Sequence, residues 1–195
     1  MADTYLGSQL PMYQNVTVKC IDKRTGKTRI ERTAKNRVTR LMLWGIAKFL
    51  AGEFNDSTPD KIYEYIPRYL AFGSNKASAL NATTAVNTTV TVNDTRLLNE
   101  YKIHTATGAT EPIKRINIEG RQHNKTNTNF SDSFVKLSLN TYVSSSKYNG
   151  MEIGEAGLFS KEQGDNCLAR VVFPAFQKKE GEVIDIQWDI TLLSY

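Results

Sequence analysis

The residues able to do chemistry are few and scattered. His104 and His123 are the only histidines and Cys20 and Cys167 the only cysteines, and none has a further histidine, cysteine or carboxylate at metal-ligand spacing. Each cysteine lies in a strand-like segment and reads as a small core residue rather than half of a bridge. Glu152 and Glu155 stand close enough in the chain to share acid and base work, but their setting, EIGEAG, favours hydrogen bonding within a turn. Thr25-Gly26-Lys27-Thr28 imitates the end of a phosphate-binding loop. The position that should carry its first glycine is Ile21, however, and a strand follows instead of a helix. Serine-hydrolase, zinc-protease, dinucleotide and calcium-loop signatures do not occur. The chain is therefore expected not to be an enzyme and to hold no cofactor and no metal.

Charge is a stronger signal. Residues 1–50 carry ten Lys/Arg against three Asp/Glu, a net +7, whereas the remainder holds 15 basic and 17 acidic residues. Within that basic quarter, Lys23, Arg24, Lys27, Arg29, Arg32 and Lys35 form the candidate partner-binding set, suited to an acidic protein neighbour or, alternatively, to nucleic acid. No aromatic residue between Asn15 and Met42 offers a base-stacking platform, which weighs against nucleic acid.

The elements that must carry these residues are legible in the periodicity. VTVKCID and TRIERTA flank the loop 23–27 and predict a β-hairpin. Val38, Leu41, Met42, Gly45, Ile46 and Phe49 recur at helical spacing and predict one long helix over 36–53, with Asn36 as its cap and Gly52 near its end. Leu43, Trp44 and Leu50 widen its apolar stripe, so the helix is expected to pack on its own sheet and on a neighbour, with Trp44 in the core. Tyr69–Phe72 reads as a strand ending at Gly73, and the polar stretch 74–95 as a long loop ordered by contact between subunits.

The second half is punctuated as a run of strands, at 97–105, 112–119, 134–143, 166–174 and 182–193. In VIDIQWDITLL the apolar residues Ile184, Ile186, Trp188, Ile190 and Leu192 share one face, with Asp185, Gln187 and Asp189 opposite. EIGEAGLF is expected to bend or bulge so that Leu158 and Phe159 turn inward before CLARVVF, where Arg170 either bonds a carboxylate or loop carbonyls or lies exposed. The predicted fold class is mainly β with one long helix (α+β), an antiparallel β-sandwich carrying an N-terminal hairpin and helix. A single domain spans 15–195, preceded by an extended arm, 1–14. No apolar run approaches the roughly 18 to 20 residues of a membrane span, and the first residues lack a basic leader and an apolar core. Neither a membrane nor secretion is expected.

Four segments in order carry a family resemblance: PRYLAFGSN, NDTRLLNE, EIGEAGLFS and CLARVVFPAFQKKEGEVIDIQWDITLL. Their succession over Ile66 to Leu193 resembles small virion proteins of tailed bacteriophages, of tail, baseplate and neck type. The resemblance implies a structural subunit without an active site, assembled in the host cytoplasm, located in the virion, and partnered by other virion proteins and copies of itself. Residues 1–14 and 74–95 are then the expected intersubunit elements. A capsid-decoration protein on the head surface is the close alternative, followed by a nucleic-acid-contacting module using the basic quarter. A carbohydrate-binding sandwich stacking sugars on Trp44, Tyr63, Tyr65 and Tyr69 is the last.

Overall fold

The computed structural model describes residues 12–50, 63–74, 90–91, 93–98, 100–104, 110–112, 115–118, 124–130 and 134–193. Most of the predicted arm and of the 74–95 loop, His123 and the end of the predicted helix lie outside them.

The chain runs β1 (Met12–Asp22), β2 (Thr28–Val38), α1 (Arg40–Leu50), β3 (Tyr69–Gly73), β4 (Lys102–His104), β5 (Thr110–Pro112), β6 (Ile116–Asn117), β7 (Asn124–Phe130), β8 (Phe134–Val143), β9 (Glu152–Phe159), β10 (Cys167–Gln177) and β11 (Glu182–Leu193). Among the described residues it is mainly β with a single short helix. Nine strands form one continuous sheet in the order β6-β3-β9-β10-β2-β1-β11-β8-β7, while β4 and β5 pair separately. Every pairing is antiparallel.

The sheet has to curl. Eight gaps of about 4.8 Å would put β6 about 38 Å from β7 in a flat sheet. Yet Asn117 ends β6 and Asn124 begins β7, and that length of chain spans at most about 25 Å. The result is a nearly closed, barrel-like sheet rather than two separate layers. Its corner is β2, which pairs with β1 through Thr28–Lys35 and then with β10 through Asn36–Val38. Both halves of the sheet feed one core, with Val16, Val18, Ile184, Ile186 and Trp188 from one side and Leu70, Phe72, Ala156, Leu158, Val171 and Phe173 from the other.

Local rules account for the edges of the elements. Asp22 closes the β1–β2 hairpin by accepting the backbone N–H groups of Arg24 and Thr25, both at 2.8 Å, and Gly26 supplies the positive φ of 69° that the turn needs. Hydrogen bonding to Thr25 and Arg24 holds the Asp22 carboxyl below its ordinary pKa. Pro174, which has no N–H to give, lies in the irregular stretch of β10 between Val172 and Phe176.

Four expectations are revised. The helix begins at Arg40, because Asn36–Val38 are used as strand by β10; Thr39, in place of Asn36, precedes it and donates its hydroxyl to the carbonyls of Cys167 and Leu168 at 2.6 and 3.1 Å. EIGEAGLF is β9, paired with β3 and β10 on its two sides, with an irregularity in its pairing to β10 between Ile153 and Glu155, and Leu158 and Phe159 are buried as expected. Strand 97–105 shrinks to Lys102–His104, and the polar stretch NKTNTNF, outside every predicted strand, is β7.

Candidate docking surface

Three of the segments that carry the family resemblance meet on the outer face of β9 and β10. Arg170 is buried there and donates through Nε and Nη2 to Glu155 Oε2 at 3.0 and 2.7 Å and through Nη1 to Asp94 Oδ2 at 3.0 Å. Burial works against its charge, but the two carboxylates more than offset this and raise its pKa. Leu97 packs on Ala71, Phe159 and Cys167, and a Cβ on Gly157 would lie 2.8 Å from its Cδ2. Next to this, Arg115 makes a two-pronged bond to Glu100, donates to the carbonyls of Lys161 and Gly164, and stacks 3.5 Å from the Phe159 ring centre. NDTRLLNE, EIGEAGLFS and CLARVVF are thus parts of one clamp that fastens the 90–101 segment to the sheet.

The clamp engages one member of the carboxylate pair, Glu155, to which Arg170 donates at 2.7 Å. Cys20 and Cys167 are free and buried, as expected; burial first, then the Glu182 charge, pushes Cys20 up to about 11. Among the described residues no three His, Cys, Asp or Glu side chains are placed to share a metal ion, and no helix is long and apolar enough to cross a membrane.

The six predicted partner-binding cations are not brought together. Lys23, Arg24 and Lys27 are exposed at the hairpin tip. Arg29 makes a two-pronged ion pair with Glu182 and donates to the Gln177 carbonyl at 2.7 Å, so it ties the turn end of the hairpin to β10 and β11. Arg32 is half-buried and lies opposite Val18, hence on the core-facing side of β2, where it donates to the Glu31 carbonyl at 3.0 Å. Lys35 is exposed on the other face, about 26 Å along the strand from Lys27 at 3.3 Å per residue.

A different surface exposes aromatic and apolar side chains. Met42 and Leu41 anchor α1 on Val38, Leu168 and Ile190, which leaves Leu43 and Trp44 outward, the latter 59% exposed. Trp44 is therefore no core residue, contrary to the periodicity. Segment 63–69 runs beside the helix, because a Cβ on Gly45 would fall 2.3 Å from the Cβ of Tyr65. It adds Tyr63 and Ile66, both exposed. Cations lie over the rings: Lys48 is 5.6 Å from the Trp44 centre and 5.9 Å from that of Tyr65, and Arg68 is 4.9 Å from Tyr63. Tryptophan, tyrosine and arginine are the side chains most enriched at the energetic centres of protein interfaces. The signal that could have found this face is the excess of apolar positions in α1 over what one sheet contact uses.

Comparison of the chain with protein-family models, with curated proteins and with solved structures finds no match.

Proposed function

We propose that the chain is a structural subunit of a tailed-bacteriophage virion, of tail, baseplate or neck type, that acts by binding other virion proteins and copies of itself and performs no reaction. The observation that carries this reading is a contrast. Arg170 and Arg115 are committed to carboxylates in the clamp, while Trp44 and Leu43 on α1 and Tyr63 and Ile66 in the segment beside it are exposed. Monomeric proteins seldom leave large apolar side chains grouped unless something covers them. The clamp adds support, because it ties together three of the four segments on which the virion resemblance rests. A flattened barrel whose halves pack like the layers of a sandwich is the finer architecture we propose, supported by the core the two halves share.

Sedimentation of particles from a lysate of producing cells tests the reading. The chain is expected in the particle fraction at a fixed copy number above one, retained through a high-salt wash; recovery only as a free monomer contradicts it. A nucleic-acid-contacting role is favoured by one observation, the exposed tip cations Lys23, Arg24 and Lys27. It predicts duplex binding by the isolated protein that weakens steeply with salt.

A further inference from the structure

We propose that the turn end of the β1–β2 hairpin, together with the two turns packed on it, binds the phosphodiester backbone of duplex nucleic acid without regard to sequence. This localises the nucleic-acid reading above and rests on it. Backbone bonds join three turns here. Lys23 donates its N–H to the Gly181 carbonyl at 3.0 Å, Gly150 to the Lys178 carbonyl at 2.8 Å, and Lys178 to the Met151 carbonyl at 3.0 Å. Lys178 is buried, and its ammonium donates to the Ser145 carbonyl at 3.1 Å and to the Asn149 side chain. The hairpin tip, the β10–β11 turn and the β8–β9 connection therefore form one braced surface.

Its charges divide into engaged and available groups. Arg29 and Glu182 hold each other, and Asp22 accepts the N–H groups of Arg24 and Thr25. Lys23, Arg24, Lys27, Lys147 and Lys179 are exposed, and among the described residues no ion pair holds them. Against these stand Glu180, exposed, and Glu152, half-buried opposite Gln177. Farther along the wall, Lys19 is paired with Glu31 at 3.4 Å and lies opposite Asp185. Segments 75–89 and 119–123, outside the described residues but flanked by strands that reach this end, add two cations and one acid, Lys76, Arg121 and Glu119. Glu53, Asp56, Asp60 and Asp132 belong to segments that depart from the opposite end, about 30 Å away along β2 at 3.3 Å per residue. The balance at the hairpin end stays positive.

The side chains between the cations select the occupant. Protein interfaces centre on apolar groups and are depleted in lysine, and none of the exposed large apolar side chains lies in these turns. Phosphates are held by lysine, arginine, small hydroxyls and main-chain N–H groups, and Thr25, Ser144 and Ser146 are exposed among the cations. The one aromatic residue of the turns, Tyr148, is buried, so no base can stack there, which favours a duplex over a single strand.

The test titrates the full chain with a fluorescent duplex DNA of mixed sequence across a salt series, read by anisotropy. Three to five phosphate contacts predict a slope of log affinity on log salt between about −2.7 and −4.5. A scrambled duplex is expected to bind equally well. Lys23→Gln, Arg24→Gln and Lys27→Gln combined are expected to flatten the slope by about 2–3, and Lys147→Gln or Lys179→Gln by about 1 each. Arg40→Gln, which removes an exposed cation at the other end, is expected to leave it unchanged. All these positions are exposed, so the variants keep the fold, and an unchanged thermal transition verifies this. Absence of salt-dependent duplex binding removes the nucleic-acid reading and this proposal with it. Binding that keeps its slope in the combined variant, or that falls with Arg40→Gln instead, leaves that reading standing and overturns the placement. Competition by polyglutamate as effective as that by unlabelled duplex makes the occupant an acidic protein and likewise overturns it. The assembly reading fails separately, by absence of the chain from particles.

Discussion

Arg170 shows what a single buried charge does here. Its guanidinium bonds both Glu155 and Asp94, so removing it takes from the fully buried Glu155 the cation that donates two hydrogen bonds to it. Arg170→Met is therefore expected to cost about 3–5 kcal/mol in urea unfolding, because a buried carboxylate loses its cationic partner. Asp94→Asn should cost far less, since Asp94 reaches solvent. Strand alternation indicated only that Arg170 faces away from its apolar neighbours. Whether that face is wet depends on the 90–101 segment lying over it, a non-local fact with no trace in the spacing around position 170. The Arg29–Glu182 pair gives a pH prediction at the same scale. Bonding to Arg29 lowers the Glu182 pKa below its ordinary 4.5, so its contribution is complete above that value and is lost as pH falls through the lowered one. Glu182→Gln is expected to be less stable at neutral pH and to show a flatter loss of urea midpoint on acidification from about pH 6 to 3.

At the scale of elements, the segments whose order is local were legible. The β1–β2 hairpin follows from its turn chemistry, and β11 from the alternation that buries Ile184, Ile186 and Trp188. β7 was not, because NKTNTNF has no alternation to read; it becomes a strand by pairing along β8 from Asn124–Thr141 to Phe130–Val135. The start of α1 was misplaced for a similar reason: β10 recruits Asn36–Val38 into the sheet, and no helical periodicity records that competition. Gly45 tests how tightly the helix is seated. Alanine in place of glycine within a helix ordinarily gains about 1 kcal/mol, but here the new methyl would meet the Cβ of Tyr65. Gly45→Ala is expected to reverse that sign, lowering stability by about 1–3 kcal/mol in thermal or urea unfolding. A stabilised variant would mean that segment 63–69 does not press on α1.

For the molecule as a whole, one curled sheet supplies the core, and in the proposed assembly role its surroundings supply contact. The mainly-β antiparallel class could be read from the chain, whereas closure into a barrel-like sheet could not, since it depends on which strands become neighbours. The docking face was half visible: the surplus of apolar residues in α1 pointed to a neighbour, but periodicity alone assigned Trp44 to the core. The central claim is that this face is covered when the protein works. Hydroxyl-radical footprinting of the free protein and of assembled particles tests it most directly, with exposed Tyr142 on β8 as internal reference. The account predicts that oxidation of Trp44, Leu43 and Tyr63 falls several-fold on assembly relative to Tyr142. Equal oxidation of Trp44 in both states, with the chain present in the particle, would contradict it.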